Sequence, residues 1–547
     1  MEVQTYIVTT SVDENDAGLG LGSGDSLREV IATAPAGATI RFDAALSGET
    51  ITLGGTQLTL DKSLSIDASG LSSGITVSGD VTGDGPTPDD SRIFEITAGQ
   101  TVEIIGLKLS GGHAAGTGID GIGGAIFSTN SSLTLRDTTL SSNSASEGGG
   151  IFTFDDATPR GTLTLNHCVV QNNTATSNGG GIRSKGSNIN INDSTLSGNT
   201  ATSLAGGGIM AQSSASNVIA NSTLSGNFAT LGAGVYSTGS SFTFTNTTIA
   251  GNTATNIGGG VLFGNTTGIL THATIANNSA VNGGGGVAVN NSGAGIDVTI
   301  ENSIIAGNTG SPGADIRYMS GTVLATGANL IGDNDTVNVE FPAGSPNARG
   351  DFVGVPSLLA QLGDYGGPTR TLLPLYGSSV IDAAISSTLA VDQRGVLRPQ
   401  GGASDIGAVE VVDSDGDGLG DEYENLFTGT SAFNVDSDGD GLVDGAGGVV
   451  TLLAYPGGID IDGDGFVDGE LDLGTDPAVS NLGDVAPRGS PDNLIDLGDL
   501  LVLTRLVTGA ALPSDLEKIL GDINGDTLLN AADILLLQQA IMNGIAP

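Results

Sequence analysis

Apolar and polar residues alternate along several short stretches of this chain. The segments SLTLRDTTL (132–140), TLTLNHCVV (162–170) and SFTFTNTTI (241–249) have a period of two, which is typical of β-strands with one buried face. An aliphatic column recurs at Leu140, Val170, Leu196, Leu224, Ile249, Ile275 and Ile305. Three residues after each of these stands an asparagine: Asn143, Asn173, Asn199, Asn227, Asn252, Asn278 and Asn308. The two columns share one register, so the pattern predicts a structural repeat.

A glycine-rich run ends in a β-branched residue once in every repeat. These residues are Ile151, Ile182, Ile209, Val235, Val261 and Val287, and the last four lie 26 residues apart. No helix-length segment separates the predicted strands, which favours a parallel β-solenoid whose coils stack about 4.8 Å apart. Side chains in the asparagine column would then hydrogen-bond from coil to coil.

The same alignment gives structural roles to residues that could otherwise suggest chemistry. His167 and His272 share a column with Asp and Asn, which is typical of a polar turn, and Cys168 shares one with Ser, Thr and Ala. His113 is the only other histidine, so a histidine-based metal site or catalytic triad is not expected. A single cysteine also excludes an intramolecular disulfide.

The amino-terminal segment predicts a cap for the first coil. In DSLREVIATA (25–34), a helix-capping Asp or Ser precedes Leu27, Val30 and Ile31 on one helical face. An open strand edge would invite aggregation, so a plug at this end is expected. We therefore predict an amino-terminal strand and capping helix over 1–34, the solenoid over 35–345 and its closing segment over 346–412.

Composition narrows the possible classes of protein. Glycine supplies 89 of 547 residues, which excludes a coiled coil because glycine weakens helix interiors. The formal net charge of −43 makes nucleic acid a poor partner. No apolar run reaches the length of about 18 residues that a membrane span needs. Of the acidic residues, 26 lie in 413–547 beside only 3 basic ones, which points to bound cations or disorder there.

Two regions of the front part resemble known families. The element SLREVI (26–31) resembles one that opens many secreted bacterial right-handed parallel β-helix proteins, with Asp25 in place of the usual Cys. The segments LGDYGGPTRTLLPLYGSSVIDAA (362–384) and VDQRGVLRPQGGASDIGAVE (391–410) are similar to the close of the choice-of-anchor Q family. The resemblance implies an all-β, right-handed parallel β-helix and a secreted location, extracellular or on the surface of a bacterium. It implies no activity.

Residues 413–424 have the spacing of a calcium loop. Calcium takes six to eight oxygens, and a 12-residue loop supplies them from positions 1, 3, 5, 7, 9 and 12, with glycine at 6. Gly418 stands at the turn position. The predicted ligands are Asp413, Asp415, Asp417, the Leu419 carbonyl, Asp421 and Glu424.

Two related loops follow, and both lack the bidentate Glu at position 12. Gly447 and Leu471 stand there instead, so these loops are expected to bind more weakly or to share ions with neighbours. Their predicted ligands are Asp436, Asp438, Asp440, Leu442 and Asp444, then Asp460, Asp462, Asp464, Phe466 and Asp468. With LGTDP (473–477), residues 413–480 resemble thrombospondin type 3 calcium repeats, which implies a stiff spacer and Ca²⁺ as the cofactor.

The last segment, 481–547, contains two loop-helix halves that resemble a type I dockerin. The predicted metal ligands are Asp484, Asp492, Leu494, Asp496 and Asp499 in the first half and Asp522, Asn524, Asp526, Leu528, Asn530 and Asp533 in the second. The resemblance implies docking onto a cohesin-like domain. Thr527 replaces the turn glycine, and apolar residues such as Leu497 and Ala531 occupy the positions that select the partner, which departs from the family pattern.

Two functional hypotheses remain. The first is a non-catalytic secreted calcium-binding structural or adhesive protein, in which a rigid rod is joined through calcium-stiffened repeats to a docking module. Its partner would be a cohesin-like domain or a neighbouring copy in a filament or matrix, with a polysaccharide as a further candidate ligand. The alternative is a β-helix polysaccharide lyase or glycoside hydrolase. That enzyme would need clustered acids and a basic residue, and Arg183 and Lys185 on the candidate face are expected to be solvated instead.

Overall fold

The computed structural model describes most of the chain. The described residues are 4–16, 19–293, 297–439, 442–445, 449–451, 454–455, 467, 469–473, 497–508, 521, 523 and 528–543. The chain forms two compact units. The first contains residues 1–374 and 378–410, and the second contains 375–377 and 411–547.

The first unit is a parallel β-solenoid, which confirms the predicted fold class. Its strands form four parallel sheets that we call A, B, C and D, and each coil contributes one strand to most of them. Sheet A contains Thr5–Val8, Thr39–Phe42, Leu64–Asp67, Thr101–Ile105, Ser132–Arg136, Thr162–Asn166, Asn188–Asn192, Asn217–Ala220, Ser241–Thr245, Thr267–Thr271, Asp297–Glu301 and Thr322–Thr326. Sheet B contains Thr50–Thr52, Ile75–Ser78, Leu107–Ser110, Thr139–Ser141, Val169–Gln171, Thr195–Ser197, Thr223–Ser225, Thr248–Ala250, Thr274–Ala276, Ile304–Ala306, Leu330–Ile331 and Phe352–Val353.

The other two sheets complete each coil. Sheet C contains Leu58–Leu60, Phe94–Ile96, Ile126–Thr129, Ile151–Phe154, Ile182–Lys185, Ile209–Gln212, Val235–Thr238, Val261–Gly264, Val287–Asn290 and Ile316–Ser320. Sheet D contains Ser144–Glu147, Thr174–Asn178, Thr200–Ala201, Phe228–Leu231, Thr253–Ile257 and Ser279–Ala280. The predicted aliphatic column lies in sheet B, where Leu140 pairs with Val170 and Val170 with Leu196, all fully buried.

The asparagine column forms a buried ladder along the solenoid. At each step the next asparagine's Oδ1 accepts both the backbone N–H and the side-chain amide of the one before it. Asn199, for example, donates to Asn227 Oδ1 at 2.9 Å from its backbone and 3.0 Å from Nδ2. Because these side chains are almost fully excluded from water, the bonds satisfy polar groups that would otherwise be costly to bury.

The predicted polar turn column has a left-handed backbone. His167 has a φ of 52° and His272 one of 49°, in line with the Asp and Asn residues of the same column. Asn and Asp adopt this conformation more readily than most residues, which explains the composition of the column. The neighbouring Cys168 is buried, and its burial raises the pKa of the thiol to about 11.

Helix α1 (Leu27–Thr33) covers the first coil. Ser26 is its N-cap, and Ser26 and Glu29 form a reciprocal capping box. Leu27, Val30 and Ile31 are buried against the first coils, as their spacing predicts.

A closing strap, residues 357–374 and 378–410, returns along the outer face of sheet B. Ala408 N–H donates to Thr274 Oγ1 at 2.9 Å, and Thr248 Oγ1 donates to Gln393 Oε1 at 2.7 Å. Leu372 packs on Ala250 and Ala276. The outward column of sheet B changes with this cover, from serine or glutamine where it is open to alanine beneath the strap: Ser141, Gln171, Ser197, Ser225, then Ala250, Ala276 and Ala306.

The second unit contains short helices. Its described helices include α2 (Asp421–Tyr423), which continues into a π-helical turn at Glu424–Thr428, then α3 (Glu470–Leu473), α4 (Leu497–Val507) and α5 (Ala531–Asn543). Leu503 of α4 and Leu537 of α5 are fully buried in a small apolar cluster. Among the described residues, no helix combines the length and apolar character needed to span a membrane.

Candidate metal centre

The first acidic loop brings three of its predicted ligands together. Asp413, Asp415 and Asp417 each place a carboxylate oxygen within 4.8 Å of the others. The loop turns tightly because Gly416 and Gly418 have φ of 83° and 96°, a region that side chains disfavour. Their N–H groups donate to Asp413 at 2.7 and 3.0 Å, which fixes the position of that carboxylate.

A second group of carboxylates joins two loops that are distant in sequence. Asp417 and Glu424 of the first loop and Asp444 of the second have carboxylate oxygens within 4.8 Å of one another, and all three residues are fully buried. The backbone holds Asp444 there, because its N–H donates to Val435 O at 2.9 Å. Its Oδ1 accepts from Ser437 N–H at 2.8 Å.

One oxygen of each of these three carboxylates is buried and lacks a hydrogen-bond donor among the described residues. These atoms are Asp417 Oδ2, Glu424 Oε2 and Asp444 Oδ2, and Asp415 Oδ2 is in the same condition. A buried carboxylate oxygen without a donor or cation costs several kcal/mol. The arrangement therefore fits a positive charge at the point where these oxygens converge.

The raised pKa values of these carboxyl groups show that their buried surroundings disfavour a negative charge. Burial, together with repulsion from Asp415 and Glu424, raises the pKa of Asp417 to about 8. Burial and nearby carboxylates also raise the pKa of Glu424 to about 7. The pKa of Asp444 is raised for the same reasons. A divalent cation would reverse the sign of this local interaction.

The other predicted ligands of these two loops have different surroundings. Asp421 accepts from Ser414 N–H at 2.8 Å and from Ser414 Oγ at 2.7 Å, so both of its carboxylate oxygens are hydrogen-bonded within the loop. Asp436 accepts from Gly439 N–H and from the hydroxyl of Tyr455, each at 2.7 Å. Leu419 and Leu442 are buried, and Asp438 is half-buried.

The remaining predicted ligands lie largely outside the described residues. In the carboxyl-terminal half-repeat, the fully buried Asp533 accepts from Asn530 N–H at 2.8 Å, and Leu528 is exposed. Asp499 lies in α4, but its side chain is not described. The predicted ligands that lie outside the described residues are Asp440, Asp460, Asp462, Asp464, Phe466, Asp468, Asp484, Asp492, Leu494, Asp496, Asp522, Asn524 and Asp526.

The sequence pattern did not single out Asp444 as a partner of the first loop. The available signal was Gly447 at position 12 of the second loop, which leaves that loop without its bidentate Glu and makes ion sharing an option. The pairing itself depends on backbone contacts such as Asp444 N–H to Val435 O, which spacing alone does not reveal.

On sheet C, the structure corrects the expectation that Arg183 is solvated. Arg183 is 4% exposed and donates to Glu147 at 3.0 Å, to Ser184 O at 2.8 Å and to Gln212 at 2.5 Å. Acceptors on neighbouring coils therefore hold the guanidinium against the sheet. Lys185 is exposed, as expected, and its ammonium lies 5.6 Å from the centre of the Phe154 ring.

A family model agrees with the fold of the first unit. The family model described as "Right handed beta helix region" matches residues 123–305. The chain is also similar to the crystal structure of pectate lyase Pel9A, with 13% identity, a TM-score of 0.40, and coverage of 75% of this chain and 97% of that one. No curated protein matches this sequence.

Proposed function

We propose that this protein is a secreted, non-catalytic structural or adhesive protein whose acidic carboxyl-terminal part binds calcium. The solenoid acts as a rigid element of display, and the segment 413–480 acts as a calcium-stiffened spacer similar to thrombospondin type 3 repeats. The dockerin-like segment attaches the chain to a cohesin-like domain or to another copy of itself. The choice-of-anchor Q resemblance supports the extracellular location, on or outside a bacterial cell.

The observation that carries this proposal is the group formed by Asp417, Glu424 and Asp444. A cation would stabilise the three buried carboxylates as anions, and the chain supplies no Lys or Arg partner to them among its described ion pairs. Calcium suits a site made only of oxygens, because it accepts six to eight of them with loose geometry. Magnesium needs stricter octahedral geometry.

The non-catalytic part of the proposal draws on the solenoid face. The bonds of Arg183 to Glu147 and Gln212 hold its guanidinium between coils. A lyase or hydrolase would need a basic or acidic group that reaches a substrate. We therefore expect no bond cleavage in a panel of pectin, alginate and neutral polysaccharides, measured by reducing ends and by the absorbance of unsaturated products.

The calcium proposal is tested on the full chain after removal of metal with a chelator. Isothermal titration should show calcium uptake, and limited proteolysis should show cleavage after residue 412 that fades in millimolar calcium. Asp417→Asn should raise the calcium concentration needed for protection at least tenfold. Asp335→Asn, an exposed acid on the solenoid, is the matched control and should leave it unchanged.

Two results would contradict the proposal. One is a tail that resists protease equally with chelator and with calcium. The other is protection from protease in Asp417→Asn at the same calcium concentration as in the wild type, which would place the protecting ions elsewhere. Sustained turnover of a polysaccharide would contradict the non-catalytic role.

A further inference from the structure

A cleft of about 400 Å³ lies on the outer face of sheet B, beside the strap. Its floor consists of three successive strands, Val169–Gln171, Thr195–Ser197 and Thr223–Ser225. Its wall is the strap segment that includes Asp364 and Arg370. The volume falls within the range of small-ligand sites.

The floor presents polar side chains in register along the solenoid axis. Gln171 pairs with Ser197 and Ser197 with Ser225, so their side chains form one row. In the hydrogen bonds described, these three side chains and that of Thr195 bond to no protein group. Thr223 differs, because it donates to Arg370 O and accepts from Gln393, and it is fully buried. The open part of the floor thus retains hydrogen-bonding capacity.

The wall adds one charge of each sign. Asp364 and Arg370 are both exposed. The Asp364 carboxylate accepts only a long bond from Gly366 N–H, 3.3 Å, among the described contacts. The Arg370 guanidinium has no ion pair in the part of the chain that the structure describes. Both groups are therefore available to a ligand.

We propose that this cleft binds a neutral polysaccharide that runs along the solenoid axis. A carboxylate such as Asp364 can accept from two adjacent sugar hydroxyls, and a guanidinium can donate to sugar oxygens in a fork. The floor row repeats about every 4.8 Å, close to the length of one sugar ring in an extended chain. Hydroxyl and carboxamide groups both donate and accept, which matches a polyhydroxylated partner.

The charge of the chain favours a neutral glycan over an acidic one. Residues 1–412, which include the solenoid and the strap, carry 34 acidic and 14 basic residues, a formal net charge of −20, so an acidic polymer is disfavoured at the cleft. No aromatic ring lines the cleft in the part of the chain that the structure describes, so hydrogen bonds supply most of the affinity. We expect dissociation constants on the order of 0.1–1 mM for short oligosaccharides.

The fold does not require the polar row of Gln171, Ser197 and Ser225 on the cleft floor, which strengthens the case for a ligand. Alanine occupies the same column at Ala250 and Ala276, where the strap covers the sheet. Ser197→Ala is therefore expected to fold normally, and it removes one hydroxyl from the centre of the floor.

The test uses the full chain and three neutral hexasaccharides, from cellulose, xylan and mannan, with hexagalacturonate as the acidic comparison. Saturation-transfer NMR and calorimetry are run in chelator and again in calcium. We expect at least one neutral hexasaccharide to bind in both conditions. Asp364→Asn and Arg370→Ala should each weaken it at least fivefold, and Ser197→Ala about twofold to fivefold. Asp335→Asn and Arg349→Ala, exposed residues outside the cleft, are the matched controls.

Several outcomes would overturn the assignment. Absence of binding by every neutral hexasaccharide at millimolar concentration is one, and preference for hexagalacturonate is another. Equal affinity in the cleft variants and the controls would place the sugar elsewhere. The chelator arm separates this inference from the calcium proposal, because binding without calcium leaves it intact even where the tail is unfolded.

Discussion

Asp315 accepts two hydrogen bonds from Asn308 through one oxygen, from the backbone N–H at 3.0 Å and from Nδ2 at 2.8 Å. It thereby ends the ladder that begins at Asn143. The second oxygen of Asp315 accepts from Asp333 N–H at 2.6 Å. A carboxylate suits this end because donors face both of its oxygens, whereas an amide would place its NH₂ against one of them.

A second column of side chains stacked from coil to coil also ends in a carboxylate. Asp351 Oδ1 accepts from Asn329 at 3.0 Å from both the backbone and Nδ2. Its other oxygen accepts from Asn347 Nδ2 at 3.3 Å. Both Asp315 and Asp351 are almost fully buried, and burial raises the pKa of Asp315 to about 6. These two stacks of side chains thus end in a carboxylate near the closing end of the solenoid.

A break in the middle of the ladder should cost substantial stability. Asn227→Ala removes the acceptor for both donors of Asn199 and leaves them buried. We expect the free energy of unfolding to fall by about 2–3 kcal/mol, measured by urea denaturation. Asn282→Ala removes an exposed amide that bonds to Asn256, and its effect should stay below about 0.5 kcal/mol. Equal effects in the two variants would show that the ladder adds no stability.

The repeating parts of the solenoid could be predicted because each coil obeys the same constraints. The columns of Leu140, Asn143 and His167 each recur with fixed spacing, so one alignment locates strand, ladder and turn. The strap has no such repeat. Its position on sheet B depends on single contacts such as Thr248 to Gln393, and within the sheet it is reflected in the change from Ser225 to Ala250 in one column.

The acidic loops show the same limit. Spacing within the first loop places Asp413, Asp415 and Asp417 together, because ligands at alternate positions of a tight turn converge. The position of Asp444 beside the first loop depends on the packing of one loop against the next. The sequence has no periodic signal for that packing. The prediction that Arg183 is solvated is wrong for a similar reason, since its partners Glu147 and Gln212 lie on neighbouring coils.

His272 should make the stability of the solenoid depend on pH. It is fully buried beneath the strap, with Nδ1 3.2 Å from Gly407 O and Nε2 2.9 Å from Ser387 Oγ. Burial, reinforced by Arg398, lowers the pKa of His272 to about 3. The unfolded chain therefore binds a proton more readily below about pH 6.5, so this contribution to stability is present above that pH and is lost as the pH falls toward 3.

His272→Asn should remove this dependence. Asn occupies the same turn column at Asn246 and Asn302, so we expect little change in stability at pH 7.5. At pH 5 the variant should be more stable than the wild type by about 2 kcal/mol, measured by thermal and urea unfolding. His167→Asn is the exposed control from the same column, and its effect should remain near zero at both pH values. If the difference in stability between His272→Asn and the wild type does not change with pH, His272 is not buried as a neutral ring.

The strap should depend on one buried ion pair. Arg398 Nη1 lies 2.7 Å from Glu410 Oε2, and both side chains are excluded from water. Arg398→Ala leaves the Glu410 charge buried without its partner, so we expect a loss of about 3–5 kcal/mol and new protease cleavage within the strap. Arg136→Ala breaks an exposed pair with Glu103 at 2.9 Å and should cost less than about 1 kcal/mol. If Arg398→Ala costs no more than this control, the pair does not hold the strap.

The last prediction concerns the two acids at position 9 of neighbouring loops, Asp421 and Asp444. Asp421 uses both oxygens for Ser414, whereas Asp444 uses one for Ser437 and turns the other toward Asp417 and Glu424. Asp444→Asn should therefore weaken the tightest calcium binding at least tenfold in a titration that follows chelation, although it lies outside the first loop. Asp421→Asn changes the same residue type at the equivalent position and should weaken that binding less.

The order of these two variants separates a shared site from two independent loops. In independent loops, Asp421 would be a ligand of the first ion and Asp444 of the second, so Asp421→Asn would damage the first site and Asp444→Asn would leave it intact. In a shared site the order is reversed, because the Asp444 carboxylate lies among the buried oxygens of the first loop. Calorimetry on both variants, with unfolding curves in chelator to show that each retains the wild-type solenoid, decides between the two arrangements.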